Sequence, residues 1–317
     1  MKSKDELIKI FSLKLRRILE SLQIDFDNLQ EIRLRINCPL IINYRNREYF
    51  VTEDASLASD PAQGVLITKK EIDETMEYIS NYSLYAFEEE LRQGFITISG
   101  GHRIGIAGKT VIQENNVKTI KHISFINVRL AHQIKGCADK VLPYLIDGKN
   151  RCIYHTLIIS PPKCGKTTLL RDIIRQISNG NPYLPGMNVG VVDERSEIGA
   201  CYMGVPQNEL GIRTDILDCC PKARGMMMLI RSMSPQVIAV DEIGSNEDLE
   251  AINHVINCGC KLIATVHGSS LEDIKSKPVL GELLQNRVFE RYIILSNIKG
   301  IGHIEGIYDA AGSRISV

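Results

Sequence analysis

The residues best placed to do chemistry form two groups. In the first, Gly165, Lys166 and Thr167 follow Ser160, Pro161, Pro162, Lys163 and Cys164, and Thr168 comes next. The apolar run Leu157, Ile158, Ile159 precedes them, and apolar residues at helical spacing (Leu169, Leu170, Ile173, Ile174, Ile177) follow. A strand, a tight loop, Gly-Lys-Thr and a helix make a phosphate-binding loop. Loop N–H groups would wrap phosphates, the Lys166 ammonium would reach the outer ones, and the Thr167 hydroxyl would ligate Mg²⁺. The pattern departs from G-x-x-x-x-G-K-[ST] at Ser160, which replaces the first glycine, and carries Lys163 where glycine is frequent. Serine fits if its φ stays negative. Taken alone, the segment also fits an ordinary Gly-Lys-Thr helix start.

In the second group, Val237-Ile238-Ala239-Val240 runs into Asp241 and Glu242. Asp241 would hold the hydration shell of Mg²⁺, and Glu242 would orient or deprotonate the water that attacks a γ-phosphate. A solvated acidic strand end gives the same string, but its place downstream of the phosphate loop favours the catalytic reading. Two further strands deliver polar groups. Val189 to Val192 leads to Asp193, Glu194 and Arg195, and Leu262 to Val266 leads to His267. Glu194 could support the metal or the water, and His267 is either a γ-phosphate sensor or a loop cap. Arg213, Arg224 and Arg231 are further candidates for stabilising transition-state charge, within the chain or across a subunit interface, although each also fits a surface arginine. The Met226 to Met228 run reads as core filling.

These groups need a scaffold. Strands expected at 156–159, 189–192, 237–240, 262–266 and 292–295, separated mostly by helical patterns, predict an α/β domain with a mostly parallel sheet covered on both faces. Such sheets bind ligands at the carboxyl ends of their strands. Upstream, 4–22 reads as one amphipathic helix, followed by a short meander beginning at Glu31, a loop over 54–63, and a helix opened by a Thr68/Glu71 capping box. A second helix is expected from Ser83 to Gly94, then a hairpin turning at Gly100-Gly101, a strand over 120–130 and a connecting helix over 131–147. The expected domains are therefore a smaller α+β domain, 1–150, and a nucleotide-binding domain, 151–317.

The 317 residues carry zero formal net charge, which gives no overall electrostatic footprint for nucleic acid or anionic lipid. No apolar run is long enough to span a bilayer and there is no signal-peptide pattern, so a cytoplasmic protein is expected. Nine cysteines without paired C-x-x-C motifs suit packing in a reducing compartment better than a metal–thiolate site.

Across EIRLRINCPL (31–40), FEEELRQGFITISGGHRIGIAG (87–108), SPPKCGKTTLLRD (160–172), VVDERSEI (191–198) and PQVIAVDEIG (235–244), the chain resembles the stage III sporulation protein AA family, relatives of the type II/IV secretion and pilus ATPases. The resemblance implies a RecA-like ATPase core using ATP and Mg²⁺, and an N-terminal domain that caps the nucleotide. It also implies assembly as a homo-hexamer. In the cell it implies a motor at the cytoplasmic face of the mother-cell membrane, working with the membrane channel components that link mother cell and forespore. Thr265-Val266-His267 looks like the family's histidine box, and Arg103 and Arg129 are the N-terminal arginines to test against the nucleotide. Two other readings stay open: a nucleic-acid-stimulated RecA-like ATPase, for which few aromatics argue poorly, and a nucleotide-dependent scaffold with little turnover.

Overall fold

The computed structural model describes residues 2–81, 87–113 and 116–316. The chain divides into two compact units, Met1–His132 and Gln133–Val317.

The first unit is α+β. Its antiparallel sheet runs in the order Leu57–Ala58, Arg47–Val51, Ile41–Tyr44, Leu29–Arg35, Asn116–Arg129, Arg103–Gln113, Phe95–Thr97. Alternation puts Ile32, Leu34, Ile104, Ile106, Ile126 and Val128 on one face, where they share a core with Leu15, Leu19, Ile72 and Met76 of the helices. The expected single helix over 4–22 is two, Lys2–Ile8 and Leu13–Ser21. Ser12 breaks it: the buried hydroxyl accepts the Leu15 N–H, and its own N–H goes to Thr75 Oγ1 at 3.1 Å. The capping box opens Lys69–Ile79 as expected, with Thr68 N–H donating to Glu71 Oε2 at 2.8 Å. The expected start at Ser83 lies outside the described residues; that helix covers Glu88–Gln93 and stops at Gly94, φ 80°. Gly100 and Gly101 both take positive φ at the hairpin turn.

The second unit is α/β. Its sheet runs Thr214–Asp218, Val189–Asp193, Val237–Val240, Lys261–His267, Thr156–Ser160, Arg291–Ser296, His303–Asp309, Arg314–Ser316. Neighbours are parallel as far as Arg291–Ser296, and the last two strands are antiparallel. All five expected strands are present. The edge strand Thr214–Asp218 and the final pair were not anticipated, because TDILD is polar and half-exposed and HIEGIYD is interrupted by glycine. One hydrophobic cluster lies on each face of the sheet.

Two expectations fail between 131 and 150. Only Leu142–Leu145 is helical, since Pro143 is tolerated in a first turn and not deeper. The boundary also moves from residue 150 to between His132 and Gln133, because Ala138, Val141, Leu142 and Leu145 pack into the second unit's core. Asp172 fastens the segment by accepting the Ala138 N–H at 2.9 Å. Within the run Met226 to Met228, Met226 is core, whereas Met228 is 52% exposed.

Candidate functional site

The fully buried strand Thr156–Ser160 ends in the loop, and the helix Lys166–Asn179 begins where the loop closes. Ser160 is buried and keeps a negative φ, so serine does replace glycine without strain; its hydroxyl donates to Pro161 O at 2.8 Å. Lys163 instead takes φ 61°, the left-handed conformation that glycine adopts freely. Gly165 has φ 87°, and a Cβ there would come within 3.3 Å of Gly302 Cα. Gly302 N–H donates to Cys164 O at 3.1 Å, so the turn before the final strands braces the loop.

Between the loop strand and the carboxylate strand lies Lys261–His267, paired to both. That spacing opens room for Lys166 and Thr167 to meet Asp241 and Glu242. Thr167 Oγ1 donates to Asp241 Oδ2 at 2.7 Å. Lys166, 6% exposed, lies 2.9 Å from Glu242 Oε1 and 3.7 Å from Asp241 Oδ1. His267 Nε2 contacts the same Glu242 oxygen at 2.8 Å, and Arg195 Nη1 holds Glu242 Oε2. Burial opposes ionisation of Glu242, but the Lys166 hydrogen bond and the charges of Lys166, His267 and Arg195 outweigh it and hold its carboxyl below the usual range. Glu242 has φ 54°, a backbone strain concentrated where the chemistry would occur.

Thr265, on the intervening strand, was expected only as part of a histidine box. Its hydroxyl accepts the Glu242 N–H at 2.9 Å and donates to Asp241 Oδ1. A hydroxyl within the apolar run LIATV was the available signal.

Glu194 is not brought to this cluster. It pairs with Lys222, the first residue of the helix Lys222–Met233, while Arg195 beside it reaches Glu242. Asp193 is structural: it is 1% exposed and accepts the N–H groups of Glu197, Ile198 and Gly199 at 2.8 to 2.9 Å. Burial pushes its carboxyl up to about 6 against those three donors. Arg171, on the loop's helix, locks the same turn through Ile198 O at 2.9 Å and Glu197 O at 2.8 Å, a role that sequence reasoning missed. Arg213 is tied to Ser178 O at 3.0 Å, and Arg224 and Arg231 are exposed on their helix. Arg103 stacks over Phe95 and Arg129 lies 3.8 Å from Glu31, both within the first unit.

The residues fit a magnesium–nucleotide ligand. Among the described residues no hydrogen bond is made by the loop N–H groups of 163–168; the first helical bond runs from Leu169 N–H to Gly165 O at 2.9 Å. These donors converge on one helix N-terminus, beside a hydroxyl and a carboxylate, the hard oxygen donors Mg²⁺ takes.

Strand order and loop together define a RecA-like P-loop fold with an added N-terminal unit. Solved structures agree. The Legionella pneumophila ATPase DotB aligns with TM-score 0.54 at 16% identity, over 87% of this chain and 74% of DotB. The pilus retraction motor PilT with bound ADP aligns with TM-score 0.54 at 16% identity, over 88% of this chain and 76% of PilT. Within that fold, the chain belongs to the family Sporulation stage III, protein AA, whose model matches residues 1–315. It is 42% identical to the stage III sporulation protein AA of Bacillus subtilis (strain 168), over 91% of this chain and 89% of that protein. Among the described residues no helix is long and apolar enough to cross a membrane.

Proposed function

We propose that this protein is a Mg²⁺-dependent ATPase that works as a secretion-type motor during sporulation. The observation that carries the reading is the meeting of Lys166, Thr167, Asp241 and Glu242 at the carboxyl ends of the two parallel strands that flank Lys261–His267. The loop N–H groups and Lys166 would bind the phosphates, and Thr167 and Asp241 would hold Mg²⁺, which neutralises charge developing on the phosphoryl oxygens. Glu242, freed from Lys166 by the nucleotide, would orient the attacking water and accept its proton, while His267 would reach toward the terminal phosphate. No covalent intermediate is required; alignment and charge stabilisation supply the rate.

The family membership and the fold support a ring, a homo-hexamer, acting with sporulation membrane channel components at the cytoplasmic face of the mother-cell membrane. Phosphate release by the wild type and by Glu242→Gln, measured across protein concentration, tests it. Turnover that rises with concentration and disappears in the variant is expected. ATP binding without phosphate release at any concentration, even with channel components present, would instead make the protein a nucleotide-dependent scaffold.

A further inference from the structure

Glu242 is held on both oxygens at once. Lys166 and His267 share Oε1, and among the described residues the side-chain contact on Oε2 comes from Arg195. If Lys166 serves phosphates, as the functional reading above requires, nucleotide entry must break its ion pair with Glu242. That step is costly, because Lys166 is buried and removing one partner of a shielded pair strands the other charge.

Arg195 is placed to lower the cost. It comes from a different strand end than Lys166 and approaches the opposite carboxylate oxygen, so it need not move when Lys166 leaves. The turn that follows it, at Glu197 to Gly199, is anchored by the Asp193 carboxylate and by Arg171, while the Arg195 side chain is 63% exposed. The guanidinium cannot lose its proton and presents several donors in a fixed fork. We infer that Arg195 is a positioning residue that keeps Glu242 paired while nucleotide takes Lys166, and thereby sets how readily nucleotide enters.

The inference rests on the nucleotide-binding reading, and binding measurements separate the two. Mg-ADP affinity of the full chain would be measured by calorimetry for wild type, Arg195→Ala, Arg195→Lys, Glu242→Gln and the Arg195→Ala/Glu242→Gln double variant. Arg195→Ala is expected to weaken binding about three- to tenfold, the range of coupling through a half-exposed charge network. Arg195→Lys should recover part of that loss. In the Glu242→Gln background, where Lys166 no longer has the Glu242 charge to leave, Arg195→Ala should have no effect. An equal loss in both backgrounds would make Arg195 a direct phosphate ligand and overturn the inference, as would unchanged affinity in Arg195→Ala. Failure of the wild type to bind Mg-ADP would remove the nucleotide reading and this one together.

Discussion

Thr265 stands between the two acids: its hydroxyl accepts the Glu242 N–H at 2.9 Å and donates to Asp241 Oδ1. One side chain therefore fixes both the backbone of the proposed water-orienting residue and the carboxylate of the proposed metal ligand. Thr265→Val keeps the shape and removes the hydroxyl. It should leave a buried polar group unpaired at a cost of about 1 to 3 kcal/mol in stability. A misplaced Glu242 should also lower phosphate release about 100-fold. Urea denaturation and a phosphate-release assay on one preparation check both; unchanged turnover would deny Thr265 its positioning role.

Lys166→Ala and Glu242→Gln should part company. The first removes the proposed phosphate-binding charge and should abolish nucleotide binding or turnover. The second removes an anion that competes for Lys166, so it should keep or tighten binding while turnover falls by about 100-fold or more. Equilibrium binding of a fluorescent ATP analogue, set beside phosphate release, reads the difference. Glu242→Gln with normal hydrolysis would take the water-orienting role away from Glu242.

Lys163 pays for its left-handed backbone, φ 61°. Lys163→Gly relieves a strain of about 1 kcal/mol, offset in part by the greater freedom glycine gives the unfolded chain. Thermal stability should therefore stay level or rise slightly, with nucleotide affinity retained. A marked loss of affinity would show instead that the Lys163 side chain itself contacts the ligand.

His102 gives the first unit a pH dependence. It is 3% exposed and accepts the Ala131 N–H on Nδ1 at 3.1 Å, so burial, with His132 nearby, depresses it to about 4. The folded value lies below the unfolded one. Its stabilisation is therefore present above about pH 6.5 and is lost as pH falls toward 4, by up to about 3 kcal/mol. Hydrogen exchange at Ile104 and Val128 should lose protection across that window in the wild type and lose less in His102→Gln. Equal acid sensitivity in the two proteins would assign the effect elsewhere.

The sheet of the second unit was legible because fully buried parallel strands are written as continuous apolar runs, as at Val237 to Val240. The convergence of the candidate site was legible to the same depth: Lys166, Thr167, Asp241 and Glu242 meet, and His267 joins them. At residues 194 and 195 the string pointed to Glu194, whereas Arg195 is the one that reaches Glu242. Both follow the same strand, and which one faces the site depends on a turn locked locally by Asp193 and, from a helix 26 residues upstream, by Arg171. The missed helix break at Ser12 has a similar origin, since its N–H partner Thr75 belongs to another helix.

The pairing of Lys261–His267 with strands on both sides has a consequence for how the centre tolerates change. Thr265 stands opposite Ile158, with Ser160 opposite His267 and Val240 opposite Ala264. A slip of one residue along that ladder would turn Thr265 to the other face of the sheet and release both acids together. The tolerance of the proposed chemistry to error is thus inherited from hydrogen-bond registry in the interior. Substitutions that shift this strand without touching any polar side chain should be as damaging as those that remove one.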